Sequence, residues 1–273
     1  MTDTTRHPLD QATAVVFDGS ACQGHTNDRY WAFVGPFGGA TAATILRSVL
    51  EQAHRIGDPL AITLNFCAPL QRGAFDLDVR EVKTNRSTQH WTVQLSQPGA
   101  GVAVSASVVL AVRRESWSHQ SAAAPELPSP EDLPEFVPTQ TVPWVDRYSF
   151  RFAAGEPAGP IDERGSLRGA RSQVWISDRE PRPIDALSLV AMSDAFFGRI
   201  FLVRGLICPF GTVSMTVYFH ASADELSLEG GQSIFGVADA HVFHRGYADQ
   251  TGELWSVTGR LLATTQQIAY FKL

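Results

Sequence analysis

The stretch that decides the reading is PIDALSLVAMSDAFFGRIFL, Pro183 to Leu202, followed after a short break by TVSMTVYFH, Thr212 to His220. The first segment is apolar at helical spacing: Leu187, Val190, Ala191, Asp194 and Phe197 fall on the i, i+3, i+4 and i+7 rows of one helix face. Pro183 suits the first turn of such a helix. The second segment alternates Val213, Met215, Val217 and Phe219 against Thr212, Ser214, Thr216 and Tyr218, the period-two pattern of a half-buried strand. One carboxylate, Asp194, therefore points where the oily residues point. An unpaired buried carboxylate is costly. Either it has a partner, with Arg199, Arg204 or a backbone amide at hand, or it has a chemical purpose.

Working outward, QSIFGVADAHVFH, ELWSV and, past a Thr-Gly turn, RLLATTQQIAYF read as further strands. The same order, a helix and then a meander, occurs once earlier. GPFGGATAATILRSVLEQAHR predicts a helix whose Gly38, Gly39, Ala42 and Ala43 let it lie close against a sheet. LAITLNFCAP follows, alternating Ile62, Leu64 and Phe66 against Thr63 and Asn65, and FDLDVREVKTN, TQHWTVQLSQ and VAVSASVVLAV extend the meander. Phe66 in LNF matches Phe219 in VYF, and GVAVSAS matches RLLATTQ with Ala103 under Ala263. Extra strands precede each helix: ATAVVFDGSA and RYWAFVG in the first half, WVDRYSFRFAAGEP and ARSQVWISD in the second.

Between the halves, Ser121 to Pro143 is rich in Pro, Ser and acids and poor in periodic apolar residues, as a linker is. The expected organisation is a first unit over 1–120, a linker over 121–143 and a second unit over 144–273. Each is an α+β unit, a long helix wrapped by an antiparallel sheet, and the two form a pseudo-dimer with one continuous sheet.

Composition narrows the function. With 44% hydrophobic and 18% charged residues the chain has the make-up of a folded soluble protein. A net charge of −6 without a basic stripe argues against nucleic acid. Cys22, Cys67 and Cys208 are scattered, which suits reduced thiols in a cytoplasm. The opening MTDTTRHPLD predicts no secretory leader, and the most apolar window, IFLVRGLICPF, holds Arg204, so no membrane span is expected. GPFGG lacks the third glycine of a dinucleotide fingerprint, and no G-x-S-x-G elbow is present. The pair in HVFH, His241 and His244, could clip a metal but fits a strand with outward-facing histidines better.

FGGATAA opening the first helix, SDAFF in the second and LLATTQQ near the C-terminus resemble the type II, TesB-like, double-hotdog acyl-CoA thioesterases, over about Asp18 to Tyr270. The resemblance implies a fold of two tandem hotdog units and a water held and activated by three residues. The family's Asp falls on Asp194, its Thr on Thr212, and its Gln on Gln267, because GRLLATTQQ fits Gly-x-Leu-x-Ala-Ser/Thr-Thr-x-Gln. It implies hydrolysis of fatty or related acyl-CoA to free acid and CoA, with no metal or organic cofactor. Backbone amides near Gly38 and Gly39 are candidates for the oxyanion, and Arg86, in the turn TNRST, for a structural or CoA-facing role. The residues give partial independent support. Gln267 shares a strand face with Leu261, Ala263, Thr265, Ala269 and Phe271, where a polar amide needs partners, whereas Gln266 faces the other way. Read alone, Gln267 is more simply a strand residue satisfying a neighbour, and Thr212 an ordinary strand threonine.

Related hotdog dehydratases use an Asp and His pair, for which the Asp194 segment offers no match. The first half has no acid at the matching helix position, where Ala42 and Ala43 stand, so one active site per chain is expected. The alternative function is a non-catalytic acyl or acyl-CoA binding protein. Exposed sheet edges invite pairing, so a homodimer or higher homo-oligomer is expected.

Overall fold

A computed structural model describes residues 6–19, 21–138, 141–157, 167–229 and 233–273. The first half carries the short helix α1 (Pro8–Ala12), strands β1 (Val15–Asp18) and β2 (Ala21–His25), helix α2 (Gly38–Leu50) and strands β3 (Asp58–Phe66), β4 (Ala74–Thr84), β5 (Thr88–Gln97) and β6 (Gly101–Ala111). The second half carries β7 (Tyr148–Ala154), β8 (Ser172–Asp178), α3 (Ala186–Met192), α4 (Arg199–Arg204), β9 (Phe210–Phe219), α5 (Ala223–Glu229), β10 (Ser233–Asp239), β11 (Phe243–His244), β12 (Tyr247–Trp255) and β13 (Leu261–Phe271). All pairings are antiparallel, in the order β1-β2-β4-β5-β6-β3-β9-β13-β12-β10-β8-β7, with β11 paired to β12. The two halves thus share one sheet, joined at β3–β9, as two tandem hotdog units should.

The repeat can be read from that seam. Ile62 pairs with Val217, Thr63 with Thr216 and Leu64 with Met215. An antiparallel pair is symmetric about one point, here Thr63–Thr216, whose hydroxyls are 3.1 Å apart. Counting outward from it makes Phe66 equivalent to Phe219, as the sequence indicates. The match of Ala103 to Ala263 is one residue out: Phe66 faces Val104 and Phe219 faces Ala263. A one-residue slip reverses every side chain, so Val104 is the equivalent of Ala263.

Helices α2 and α3 lie together on the concave face of the sheet. Ala42, Ala43, Ile45, Leu46 and Val49 of α2 are fully enclosed, as are Leu189, Val190, Ala191 and Met192 of α3. Glycine sets their spacing: a Cβ on Gly39 would collide with the Ala191 carbonyl oxygen and the Phe37 ring. Between β6 and β7 the described chain forms no strand, yet it packs on the second half. Phe136 N–H donates to Phe150 O at 2.8 Å, and Trp175 Nε1 to Pro128 O at 2.8 Å.

Several sequence expectations need correction. The helix through Asp194 stops at Met192 and starts only at Ala186, capped by the Asp185 side chain, so Pro183 precedes it. Both the N–H and Oγ of Ser193 bond Leu189 O, and Asp194 and Ala195 close a tighter turn onto Ala191 O and Met192 O. A hydroxyl that bonds back to the i−4 carbonyl competes with helix continuation. Helix geometry resumes after Gly198, with the Arg199 guanidinium clamped on Phe197 O. RYWAFVG is not a strand: Asn27 caps a single 3-10 turn, Asp28–Tyr30, and the rest wraps toward the helix start. QSIFGVADAHVFH divides into β10 and β11, and the strand expected at ELWSV begins earlier, at Tyr247.

Candidate active site

The turn after α3 carries Asp194 across the N-terminus of α2. Two neutral donors beside its carboxylate favour the ionised form, the Gln267 side-chain amide and the Gly39 N–H. A Cβ on Gly38 would stand 2.6 Å from Asp194 Oδ2, so glycine is what lets the carboxylate come this close. Neither arginine considered as a partner supplies one. Arg199 is buried and turned away, bonding Phe197 O, Ala170 O and Ser172 Oγ, and Arg204 is exposed. Burial pushes the Asp194 carboxyl up to about 7, against the two hydrogen bonds, which pull it down. A helix N-terminus also favours the anion. Desolvation wins because no cation among the described residues compensates.

Gln267 reaches Asp194 from β13. Its amide also donates to Ser193 O at 3.3 Å and lies 3.4 Å from Met215 Sδ, while Thr212 Oγ1 donates to Gln267 Oε1 at 3.3 Å. The hydroxyl thereby selects the amide orientation: with Oε1 occupied, the N–H end faces the acid. Simple alternation puts Thr212 on the opposite face from Met215, Val217 and Phe219. The ladder corrects this, because Ile268 pairs with Ser214 and Ala269 with Thr212, leaving Val213 as an extra residue. That β-bulge turns Thr212 inward onto the face of Gln267.

Asp194, Thr212, Gln267 and Gly38 share the wall of one cavity of about 770 Å³. The small remaining exposure of Asp194 is to this space. Both halves and the connecting segment contribute to the wall, which is largely aromatic, including Phe66, Phe136, Trp144, Phe197 and Phe210. Phe37 stacks on Trp144 with centroids 4.3 Å apart and planes 6° apart. Phe196 is seated over two glycines, since a Cβ on Gly236 or Gly252 would meet its ring at 2.5 or 3.0 Å. This seat anchors the turn that carries Asp194. Arg86 is not brought to the cavity; it lies in the exposed turn between β4 and β5. His241 pairs with Asp249 at 2.7 Å on the surface.

Two further residues escaped the sequence reading. Gln250 on β12 lines the cavity directly opposite Gln267. The available signal was a polar residue on the inward row Ala248, Gln250, Gly252 and Leu254. Asp178 on β8 is a second buried acid that burial pushes up to about 7, against the lowering influence of Arg182, but it is not on the cavity wall. Among the described residues no helix is long and apolar enough to cross a membrane.

Family comparisons agree with this architecture. The model for the acyl-CoA thioesterase N-terminal domain matches residues 27–111, and that for the acyl-CoA thioesterase C-terminal domain matches residues 121–271. A hot dog fold protein of unknown function from Alicyclobacillus acidocaldarius is 42% identical, with a TM-score of 0.92 over 98% of this chain and 99% of that one. Acyl-CoA thioesterase II TesB2 from Mycobacterium marinum shares the fold at 18% identity and TM-score 0.73, over 97% and 98% of the two chains. The dehydratase domain of RzxB from Pseudomonas fluorescens is a more distant fold relative, at 14% identity and TM-score 0.53 over 98% and 99%. No curated protein matches the chain in sequence. With both domain models matched in order and the fold repeated across the seam, the chain belongs to the acyl-CoA thioesterase family.

Proposed function

We propose that the protein hydrolyses the thioester of fatty or related acyl-CoA, using a water activated by Asp194. The observation that carries this reading is the convergence of Asp194, Gln267 and Thr212, from three separate elements, on one cavity wall, with Thr212 donating to Gln267. A carboxylate with a pKa near neutrality is a competent general base at physiological pH. Asp194 takes a proton from water as the water oxygen bonds to the thioester carbon. When the C–S bond breaks, that proton passes to the CoA sulfur. Gln267 fixes the carboxylate, and Thr212 fixes Gln267, so the water meets an already oriented base. The aromatic cavity accepts the acyl chain and excludes bulk water, removing apolar surface from solvent.

Two expectations follow for kinetics. Because the base must be ionised, kcat/KM rises with pH at unit slope up to about 7 and is level above it. Asp178→Asn, off the cavity, retains that limb. A flat profile from pH 5 to 9 contradicts Asp194 as the base. Thr212→Val removes the hydroxyl that orients Gln267. It lowers kcat by roughly tenfold and the melting temperature by a few degrees, because the buried Gln267 Oε1 loses its donor, at a cost of about 1–3 kcal/mol. Stopped assays of CoA release and a thermal melt read both quantities.

A further inference from the structure

Gln250 lies directly across the β12–β13 ladder from Gln267, and directly opposed residues have Cα atoms about 4.5–5.5 Å apart. It is 6% exposed, lines the same cavity, and its Oε1 has no hydrogen-bond partner among the described residues. Leaving such an acceptor unsatisfied costs about 1–3 kcal/mol, so the fold keeps this amide at a cost, and its N–H end is the one with something to offer an accepting ligand. Several other polar groups on the wall are engaged. Thr41 Oγ1 donates to Phe37 O, Thr212 donates to Gln267, and Gln267 is spent on Ser193 O and Asp194. The Gly39 N–H, the obvious donor at the start of α2, is directed at Asp194. An attacked thioester needs a donor for its oxygen, and Gln250 has the uncommitted amide.

We propose that Gln250 presents its amide N–H to the thioester carbonyl oxygen and holds the charge that develops there, a role that rests on the hydrolytic reading above. As the water oxygen bonds to the carbonyl carbon, the π pair moves onto the carbonyl oxygen, which accepts the hydrogen bond from Gln250. When the C–S bond breaks, the pair returns to the C=O bond. The Oε1 end is the enclosed one, so the N–H end is the one turned to the cavity, and a ligand oxygen that only accepts can meet it there. This assigns the oxyanion to a side chain on β12 in place of the backbone at Gly38 and Gly39.

The test compares wild type, Asp194→Asn, Gln250→Leu and Gln250→Glu on one acyl-CoA, with binding of an S-alkyl-CoA thioether, which has no carbonyl. Loss of one oxyanion donor lowers kcat by about 100-fold. Thioether affinity stays within about threefold and the limb near 7 persists, because ground-state binding and the base are untouched. Gln250→Glu keeps the size of the side chain and loses kcat to at least the same degree, so the result stands on two variants. A kcat within about threefold of wild type in either folded variant overturns the role, as does a parallel loss of thioether binding, which marks a structural residue. Absence of turnover in wild type removes the hydrolytic reading itself. Asp194-dependent turnover that ignores Gln250 removes only this inference.

Discussion

Asp194→Asn is expected to lower kcat by about a thousandfold while leaving acyl-CoA binding nearly unchanged, a loss of about 4 kcal/mol of transition-state stabilisation. Asparagine keeps the shape but cannot take the proton. Its stability should not fall, and the sign follows from linkage. The folded-state carboxyl lies near 7 and the unfolded one near 3.8, so the folded protein binds the extra proton between those values. The ionised form therefore destabilises the fold increasingly as pH rises from about 4 to about 7. An amide carries no such charge, so the variant gains in melting temperature relative to wild type at pH 8 and the gain shrinks toward pH 5. Falling activity with rising stability at pH 8 is a combination that a merely structural acid would not produce. Equal kcat in the two proteins would sink the assignment.

Gly39→Ala is expected to damage both the fold and the site. The new Cβ has no room between Ala191 O and the Phe37 ring, and one of these obstacles is helix backbone, which cannot swing aside. Helices α2 and α3 must part, taking the Gly39 N–H away from Asp194. The expected cost is about 2–4 kcal/mol, a drop of roughly 5–15 °C in melting temperature. Activity falls with it. At Gly38 the new Cβ would instead meet Oδ2 of a side chain at 2.6 Å and the Phe66 ring at 3.3 Å. Gly38→Ala therefore displaces the carboxylate more than the helix, and loses proportionally more kcat than stability. Thermal melts and steady-state kinetics on the two variants separate these cases. The account of the helix contact fails if Gly39→Ala melts like wild type.

Much of the fold was legible because local patterning and tertiary burial agree. In β3, β9 and β13 the alternating residues Ile62, Leu64, Met215, Val217, Phe219, Ala263 and Ala269 are buried, and the match of Phe66 to Phe219 survives at the seam. What was lost depends on groups distant in sequence. The end of α3 is set by a serine bonding backwards and an arginine clamped on Phe197 O, which apolar periodicity does not encode. Thr212 reads as outward because alternation assumes an unbroken ladder, and a bulge exists only in the pairing of two strands. Asp194 was recognisable as an anomaly on an apolar face, yet its Gly39 and Gln267 donors come from elsewhere in the chain. Gln250 needed its facing strand to acquire meaning. The Pro-rich connection reads as a spacer, but Phe136 and Trp144 make it part of the cavity wall.

The decisive measurement is thiol release from a panel of acyl-CoAs, short to long, with purified wild-type protein and Asp194→Asn side by side. Wild type is expected to turn over at least part of the panel steadily, with one free acid formed per CoA released, and the variant to lose nearly all turnover while still binding. Tight binding of acyl-CoA by both proteins with no thiol released by either would contradict this expectation, and would leave a binding protein in which Asp194 is a structural acid.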